Sequence, residues 1–409
     1  MKNKLIFTFL LSILLSFLSC GNSETGSEND NENPDSGNIN DDDGYPDGDE
    51  FNDFVDSDGQ NEITYEISVE TTRFEGTTCN DISIDGEGNI YIVGEKHNEA
   101  YLAKIGSDMK EKWRIVWNED SWQGADAVKV VNDYIYVSGN MMDYNFFSKF
   151  DGEGNEIWNK TTDLSIYAIS IDKNENIYIG GKTNVENEEE PDAFFAKYDK
   201  NGEQVWLKNF GNENYEVIRS IALDSENNIY GAGFKAINNS VHTQFTVKYN
   251  SNGAYQWERV TGDGYLWATT VDGQDKIFST GVKNGSIILY EFNSAGTNVS
   301  EKNFGSGVGM GLDHDKNSNL YLSGYTTGAF EGFSNKGAGD SFLIKMDGLG
   351  NELWATQWGS EYNEQWQKVA VGLNGEIYVT HYEHVLVTDD EYYDNMNRVI
   401  ISKITEKVK

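Results

Sequence analysis

Asp172-Lys173-Asn174-Glu175-Asn176-Ile177-Tyr178-Ile179-Gly180-Gly181, then Asp192-Ala193-Phe194-Phe195-Ala196-Lys197-Tyr198-Asp199 and Trp206, is the stretch whose reading decides the fold. Its first phrase, Asn176-Ile177-Tyr178, returns as Asn89-Ile90-Tyr91, Tyr134-Ile135-Tyr136, Asn228-Ile229-Tyr230, Lys276-Ile277-Phe278, Asn319-Leu320-Tyr321 and Glu376-Ile377-Tyr378. The aromatic positions are 45, 42, 52, 48, 43 and 57 residues apart. A glycine follows three residues later at Gly94, Gly139, Gly181, Gly233, Gly281 and Gly324; the seventh copy has His381. The second phrase centres on Lys104, Lys149, Lys197, Lys248, Lys345 and Lys403, with Glu291 in the fifth copy. Nine residues beyond the lysine stands a tryptophan: Trp113, Trp158, Trp206, Trp257 or Trp354, with Ser300 in the fifth copy.

Each copy reads as four short strands. An alternating strand such as Ile169-Ser170-Ile171 comes first, then a tight Asp-x-x-Gly-Asn-like turn, as at Asp85 to Asn89 and Asp224 to Asn228. The Asn-Ile-Tyr strand, a variable loop, the Lys strand, a second tight turn and the Trp strand complete it. Asp and Asn hold such turns through side chain to backbone bonds, which assigns these acids to the scaffold rather than to ligands. Four-stranded units at a period of 40–50 residues are the signature of propeller blades. Seven copies predict an all-β, seven-bladed β-propeller of four-stranded antiparallel blades.

The ends fit a ring. Asn61-Glu62-Ile63-Thr64-Tyr65-Glu66-Ile67 resembles the outer-strand sequences Asn155-Glu156-Ile157-Trp158 and Asn351-Glu352-Leu353-Trp354. The seventh copy ends shortly after Lys403 without a Trp strand. Residues 61–70 are therefore expected to pair with the C-terminal strand and close the circle, removing an exposed edge.

Three segments follow: 1–19, 20–60 and 61–409. Lys2 and Lys4 precede an apolar run from Leu5 to Leu18 that is short for a transmembrane helix. The run reads as an export signal. Its end, Phe17-Leu18-Ser19-Cys20-Gly21, resembles a bacterial lipoprotein signal, which implies cleavage before Cys20 and lipid on its sulfur. Gly21 suggests the outer membrane. Residues 20–60 carry fourteen Asp or Glu and no Lys or Arg, so they bury too little apolar surface to fold and read as an extended tether. Asp41-Asp42-Asp43-Gly44 and Asp56-Ser57-Asp58-Gly59 fall short of a calcium loop, because the first ligand positions would be Ile39 and Phe54.

The formal net charge of −37 argues against nucleic acid, whose phosphates require Lys and Arg, and against docking on anionic lipid. The two cysteines, Cys20 and Cys79, cannot form a disulfide framework. No zinc spacing, HExxH, GxSxG or P-loop is present, and neither a cofactor nor a metal is expected.

The two phrases together resemble the SBBP-type β-propeller repeat over residues 79–404. The resemblance implies a propeller on an exported, often anchored protein; it implies no activity and lends no catalytic residues. In such blades the tight turns share one face. The variable loops and the links between blades share the other, where function concentrates. Candidate binding residues there are Trp122, Tyr215, Trp358, Tyr362, Trp366, His381 and His384. Aromatics beside acids suit sugar stacking or protein contacts. The position twelve residues before the repeat aromatic is occupied by Cys79, Ile166, Ile218, Leu266, Gly309 and Trp366, so Cys79 reads as a small buried hydrophobe. The expectation is a monomeric surface lipoprotein that binds a protein or glycan without catalysis. The rival is an extracellular polysaccharide hydrolase or lyase with acids in the central funnel.

Overall fold

A computed structural model describes residues 65–74, 78–117, 124–141, 144–183, 191–211, 215–237, 241–385 and 396–408. The leader, Cys20, the tether, residues 61–64 and Trp122 lie outside them.

Every described element is a strand. One four-stranded sheet holds β2 (Thr78–Ile84), β3 (Ile90–Lys96), β4 (Glu99–Ile105) and β5 (Glu111–Trp117) in sequence order. The next holds β6 (Gly124–Val131), β7 (Tyr134–Asn140), β8 (Asn145–Phe150) and β9 (Glu156–Thr162). A third holds β10 (Leu164–Ile171), β11 (Ile177–Thr183), β12 (Ala193–Tyr198) and β13 (Gln204–Phe210). A ten-stranded sheet then runs through β14 (Tyr215–Leu223), β15 (Ile229–Ile237), β16 (Val241–Tyr249), β17 (Tyr255–Val271), β18 (Ile277–Lys283), β19 (Ser286–Phe292), β20 (Asn298–His314), β21 (Leu320–Thr326), β22 (Asp340–Met346) and β23 (Glu352–Trp358). It is continuous because β17 and β20 each serve two units. β17 pairs with β16 up to Asp263 and with β18 from Gly264. The joints carry Gly262 and Gly264, and Gly305 and Gly307, all at positive φ, where a side chain would be strained. β24 (Asn363–Val371), β25 (Ile377–Val385) and β26 (Met396–Val408) form the last sheet with β1 (Tyr65–Phe74).

The innermost strands touch in a closed circuit: β2 with β6, β6 with β10, β10 with β14, β14 with β17, β17 with β20, β20 with β24, and β24 with β2. This is a β-propeller. Apolar clusters fill the seams between sheets. Tyr91, Val93 and Leu102 pack on Val128, Ile135 and Val137, and Cys79, Ile82 and Tyr101 pack on Tyr378, Val399 and Ile401 across the closure.

Closure is made as expected by the N-terminal strand, which pairs antiparallel with β26 from Tyr65↔Val408 to Phe74↔Val399. The register differs from that implied by likeness to the outer strands. Thr64 would stand opposite Lys403; Glu70 does. The shift of six residues keeps each β1 side chain on its face, and in this register Ile67 is buried against Tyr321, Trp354 and Ile404.

The repeat phrases are rows across the sheets. Tyr91, Lys104 and Trp113 are successive cross-strand partners, as are Tyr178, Lys197 and Trp206, and Tyr230, Lys248 and Trp257. A bulge just after the lysine sets the nine-residue offset. Each ammonium lies over the tyrosine ring, at 5.2 Å for Lys104 and 4.8 Å for Lys197 and Lys248. The tyrosine hydroxyl reaches back to the turn. Tyr230 donates to Asp224 at 2.9 Å, and Asp224 also accepts the Asn228 backbone N–H and side-chain amide at 2.8 Å each.

Departures from the repeat leave matching gaps. The second unit has a two-residue turn at Asn132-Asp133 and no aspartate in that place; the seventh has Gly372 there. The hydroxyls of Tyr136 and Tyr378 have no partner among the described residues. The fifth unit keeps Asp272 but has Phe278, and Asp272 Oδ2 is left without one. In that unit Ser300 donates to Glu291 at 3.2 Å where others pair Trp with Lys.

Candidate functional site

The motif glycines locate the site. Gly94, Gly139, Gly181, Gly233, Gly281 and Gly324 each stand opposite the residue before a one-residue bulge in the innermost strand. A β-carbon there would collide with a backbone carbonyl of that strand: that of Thr78 for Gly94, Val217 for Gly233 and Tyr265 for Gly281. Close backbone approach therefore selects glycine. In the last sheet His381 carries a β-carbon, and the ladder is interrupted over Trp366-Gln367.

A bulge takes its extra residue out of the in-out alternation and re-aims it. The re-aimed residues are Asn80, Asp126, Tyr167, Arg219, Trp267 and Met310, with Gln367 at the same place in the last sheet. They form a circle near the start of the inner strands, the end that carries the links between units. Their side chains differ in kind from sheet to sheet, as do some of their neighbours, Asp81 and Lys368 among them.

Arg219 is the centre of the circle's chemistry. Its guanidinium carbon lies 4.7 Å from the Tyr167 ring centre, 5.2 Å from Trp267 and 5.7 Å from Phe234. Trp267 stacks on Tyr265 at 5.9 Å and 19°, and Tyr215 stacks on Phe234 at 6.1 Å. Across the circuit, Lys368 on β24 feels the charges of Asp81 and Arg219. β14 and β24 are both inner strands of the circuit, and Arg219 and Lys368 stand near their starts, at the same end of the axis. Asp126 also feels Arg219 and accepts a hydrogen bond from the Asn140 amide at 3.1 Å. Asn80 donates to the Ala125 carbonyl at 2.9 Å, tying the first bulge to the next inner strand.

Asp126, Tyr167, Arg219, Trp267, Asp81 and Lys368 are half-buried. Burial pushes the Asp126 carboxyl up to about 6 against the pull of Asn140 and Arg219. It raises Asp81 despite Lys368 and the Val128 N–H, and lowers the Lys368 ammonium. Cys79 beside them is fully buried, its thiol pushed by desolvation up to about 12, which suits the expected apolar role and not a nucleophile.

Of the expected residues, Tyr215 joins this aromatic group. Trp358 lies half-buried at the end of β23, and its indole N–H has no partner among the described residues. Tyr362 is half-buried in the link before β24. Trp366 and His384 lie on strands, their side chains outside the described residues. His381 is not on an open loop: it sits in β25, 1% exposed, its ring nitrogens unpartnered among the described residues, and desolvation drives its imidazolium down to about 3. The segment read as a loop from His381 continues as strand to Val385 because β26 starts early enough to pair with it.

A second group of acids belongs to the scaffold. Asp340 and Glu364 are buried together beside Gly359; Ser360 donates its N–H and hydroxyl to Glu364 at 2.8 and 2.6 Å. Desolvation, with Asp340 adding to it, lifts Glu364 to about 7 against those bonds. Asp192, Glu216 and Gly211 repeat the arrangement. Among the described residues no group of three or more His, Cys, Asp or Glu is placed to hold a metal ion.

The circle itself, apart from Tyr215 nearby, was missed from sequence. The signal was one residue away: the bulged position is eleven before the repeat aromatic, or ten in the second unit, next to the position at twelve.

The profile of the SBBP β-propeller repeat matches residues 73–95 and 159–187, and the chain carries this repeat. No curated protein matches the chain in sequence. Among solved structures it is similar to virginiamycin B lyase from Staphylococcus aureus, at 11% identity and TM-score 0.52 over 83% of this chain and 99% of that one. It is also similar to the WD40 β-propeller domain of Doa1, at 11% and 0.54 over 83% and 97%, and to YCF48 bound to D1 peptide, at 12% and 0.52 over 82% and 94%. At these identities the likeness shows the fold.

Proposed function

We propose that this chain is an exported, lipid-anchored propeller of seven blades that binds a protein or glycan where its inner strands begin. One observation carries the reading. On a scaffold that repeats its rows of Tyr, Lys and Trp, the bulged residues differ in kind from sheet to sheet, and each lies near the start of an inner strand, at the same end of the axis. Packing explains repetition; a convergent set of unlike polar and aromatic groups is what recognition needs. The anchor rests on Ser19-Cys20 and the acidic tether.

The test is a glycan array together with capture of envelope proteins, using the full chain and a Trp267→Ala variant. Ligands lost with that variant support the reading. A ligand set indifferent to every residue of the circle, or none at all, defeats it. Loss of palmitate labelling in Cys20→Ala, and protease shaving of intact cells, test the anchor and its outer-membrane placement.

A second reading, a polysaccharide hydrolase or lyase, is favoured by Asp126, whose raised carboxyl beside the axis suits a proton donor near neutrality. Product analysis of any bound glycan separates the two. Turnover abolished in Asp126→Asn would replace binding by catalysis; an unaltered glycan would exclude it.

A further inference from the structure

Arg219 and Lys368 raise a question that the scaffold does not answer. A guanidinium is charged at every physiological pH and presents five donors. Among the described residues Arg219 makes no hydrogen bond and no ion pair; its Nε is buried without an acceptor, and aromatic rings hold the group instead. Lys368, half-buried, likewise makes no hydrogen bond or ion pair among the described residues, although the Asp81 carboxylate lies within its field. Several cations of the scaffold are matched by acids: Lys345 bonds Glu406, Lys235 bonds Glu258 at 2.8 Å, and Lys283 bonds Glu301 at 2.7 Å. In a chain with a net charge of −37, two unpaired cations at the axis are not explained by a shortage of acids.

We propose that the axis between Arg219 and Lys368 is a carboxylate subsite, and that the carboxylate belongs to an acidic sugar whose ring lies against Trp267. The inference rests on the binding reading above and names its ligand class. A carboxylate is planar and meets the guanidinium fork in two parallel hydrogen bonds, continuing the slot that Tyr167 and Trp267 form around Arg219. Lys368 supplies the second positive charge. Trp267, half-buried and stacked on Tyr265, is the aromatic beside Arg219 against which such a ring would lie. Asn80 and Asp126 set a donor and an acceptor around the rim, as a polyhydroxylated ring requires. An extended peptide would instead need a regular strand edge. Each inner strand turns an edge to the axis, and the bulges interrupt it at this level.

Isothermal titration of the full chain with trigalacturonate, galactotriose and a short acetylated peptide acid tests this, with Trp267 fluorescence as a reading from the site. Trigalacturonate should bind at least about tenfold more tightly than galactotriose, weakening as salt rises. Arg219→Gln should lose at least about tenfold and Arg219→Lys less, because only the fork is lost. Lys368→Gln, a change outside the aromatic group, gives a second test if Arg219→Gln does not fold, and should weaken binding by about threefold or more. Equal affinity for the acidic and neutral sugars, or unchanged binding in both variants, overturns the subsite. Tighter binding of the peptide acid overturns the sugar. A ligand from the array that binds independently of Arg219 would remove this inference and leave the binding reading standing.

Discussion

The two ends of an inner strand are treated differently by the repeat. β14 ends in a turn where Asp224 collects bonds from two backbone N–H groups, the Asn228 amide and the Tyr230 hydroxyl. Asp85 and Asp315 do the same after β2 and β20. Near the start of the same strand a bulge pushes out Arg219, where other strands push out Asn80, Asp126, Tyr167, Trp267 or Met310. One end is closed by its own residues. The other offers groups that do not satisfy one another. What is constant is the backbone device, a glycine against a bulge; what varies is the side chain it presents.

The largest test breaks the frame on which both ends depend. Deleting 61–74 removes β1, exposes the edge of β26 and uncovers Trp354 and Tyr321; it should cost on the order of 5 kcal/mol or more, read as a fall in the denaturation midpoint. An unchanged midpoint would show that closure does not need this strand.

Next comes the device itself. Gly233→Ala drives a methyl into the Val217 carbonyl and should cost about 3 kcal/mol or more, whereas Gly86→Ala, at an open turn, should stay within about 1 kcal/mol. Equal effects would remove the glycine argument.

His381 is the natural exception to that device and gives a pH signature. Its folded value, about 3, lies below the ordinary 6.5. The unfolded chain therefore takes up a proton that the folded chain refuses as pH falls below 6.5. Its contribution should be lost progressively towards pH 3, by about 2 kcal/mol between pH 6.5 and 4.5. His381→Gly should flatten that part of the urea-midpoint profile and restore the pairing of the other sheets.

The smallest effect sharpens the closed end. Phe278→Tyr would return the hydroxyl that Asp272 Oδ2 lacks, and should raise stability by about 1 kcal/mol in thermal unfolding. The same change at Phe292, away from any such aspartate, should give no gain.

The sequence shows the closed end because its causes are local. Turn acids, the glycine after the aromatic and the nine-residue step from Lys248 to Trp257 all sit within one hairpin, so they recur at fixed spacing. Closure was legible too, although its register was set by burial of Ile67 against sheets far along the chain. The open end was not legible for a different reason. A bulge leaves no residue type behind, only a carbonyl brought close to a glycine on the next strand, and the residues it presents do not repeat. Tyr215 was found because it stands out as an aromatic in a link; Arg219, four residues on, reads like any charged residue on a strand.

The pairing of β1 with β26 has a consequence in time. Tyr65 meets Val408, and Phe74 meets Val399, so β1 leaves the ribosome long before the strand it pairs with. Until then its backbone donors and acceptors have no sheet to join, and neither edge of the growing arc is sealed. A contact that spans so much chain is slow to form and late to be rewarded. The circle is thus a checkpoint on completeness: a truncated chain can build its early sheets but never acquires the partner that locks them, and it stays open to chaperones, proteases and other unfinished copies.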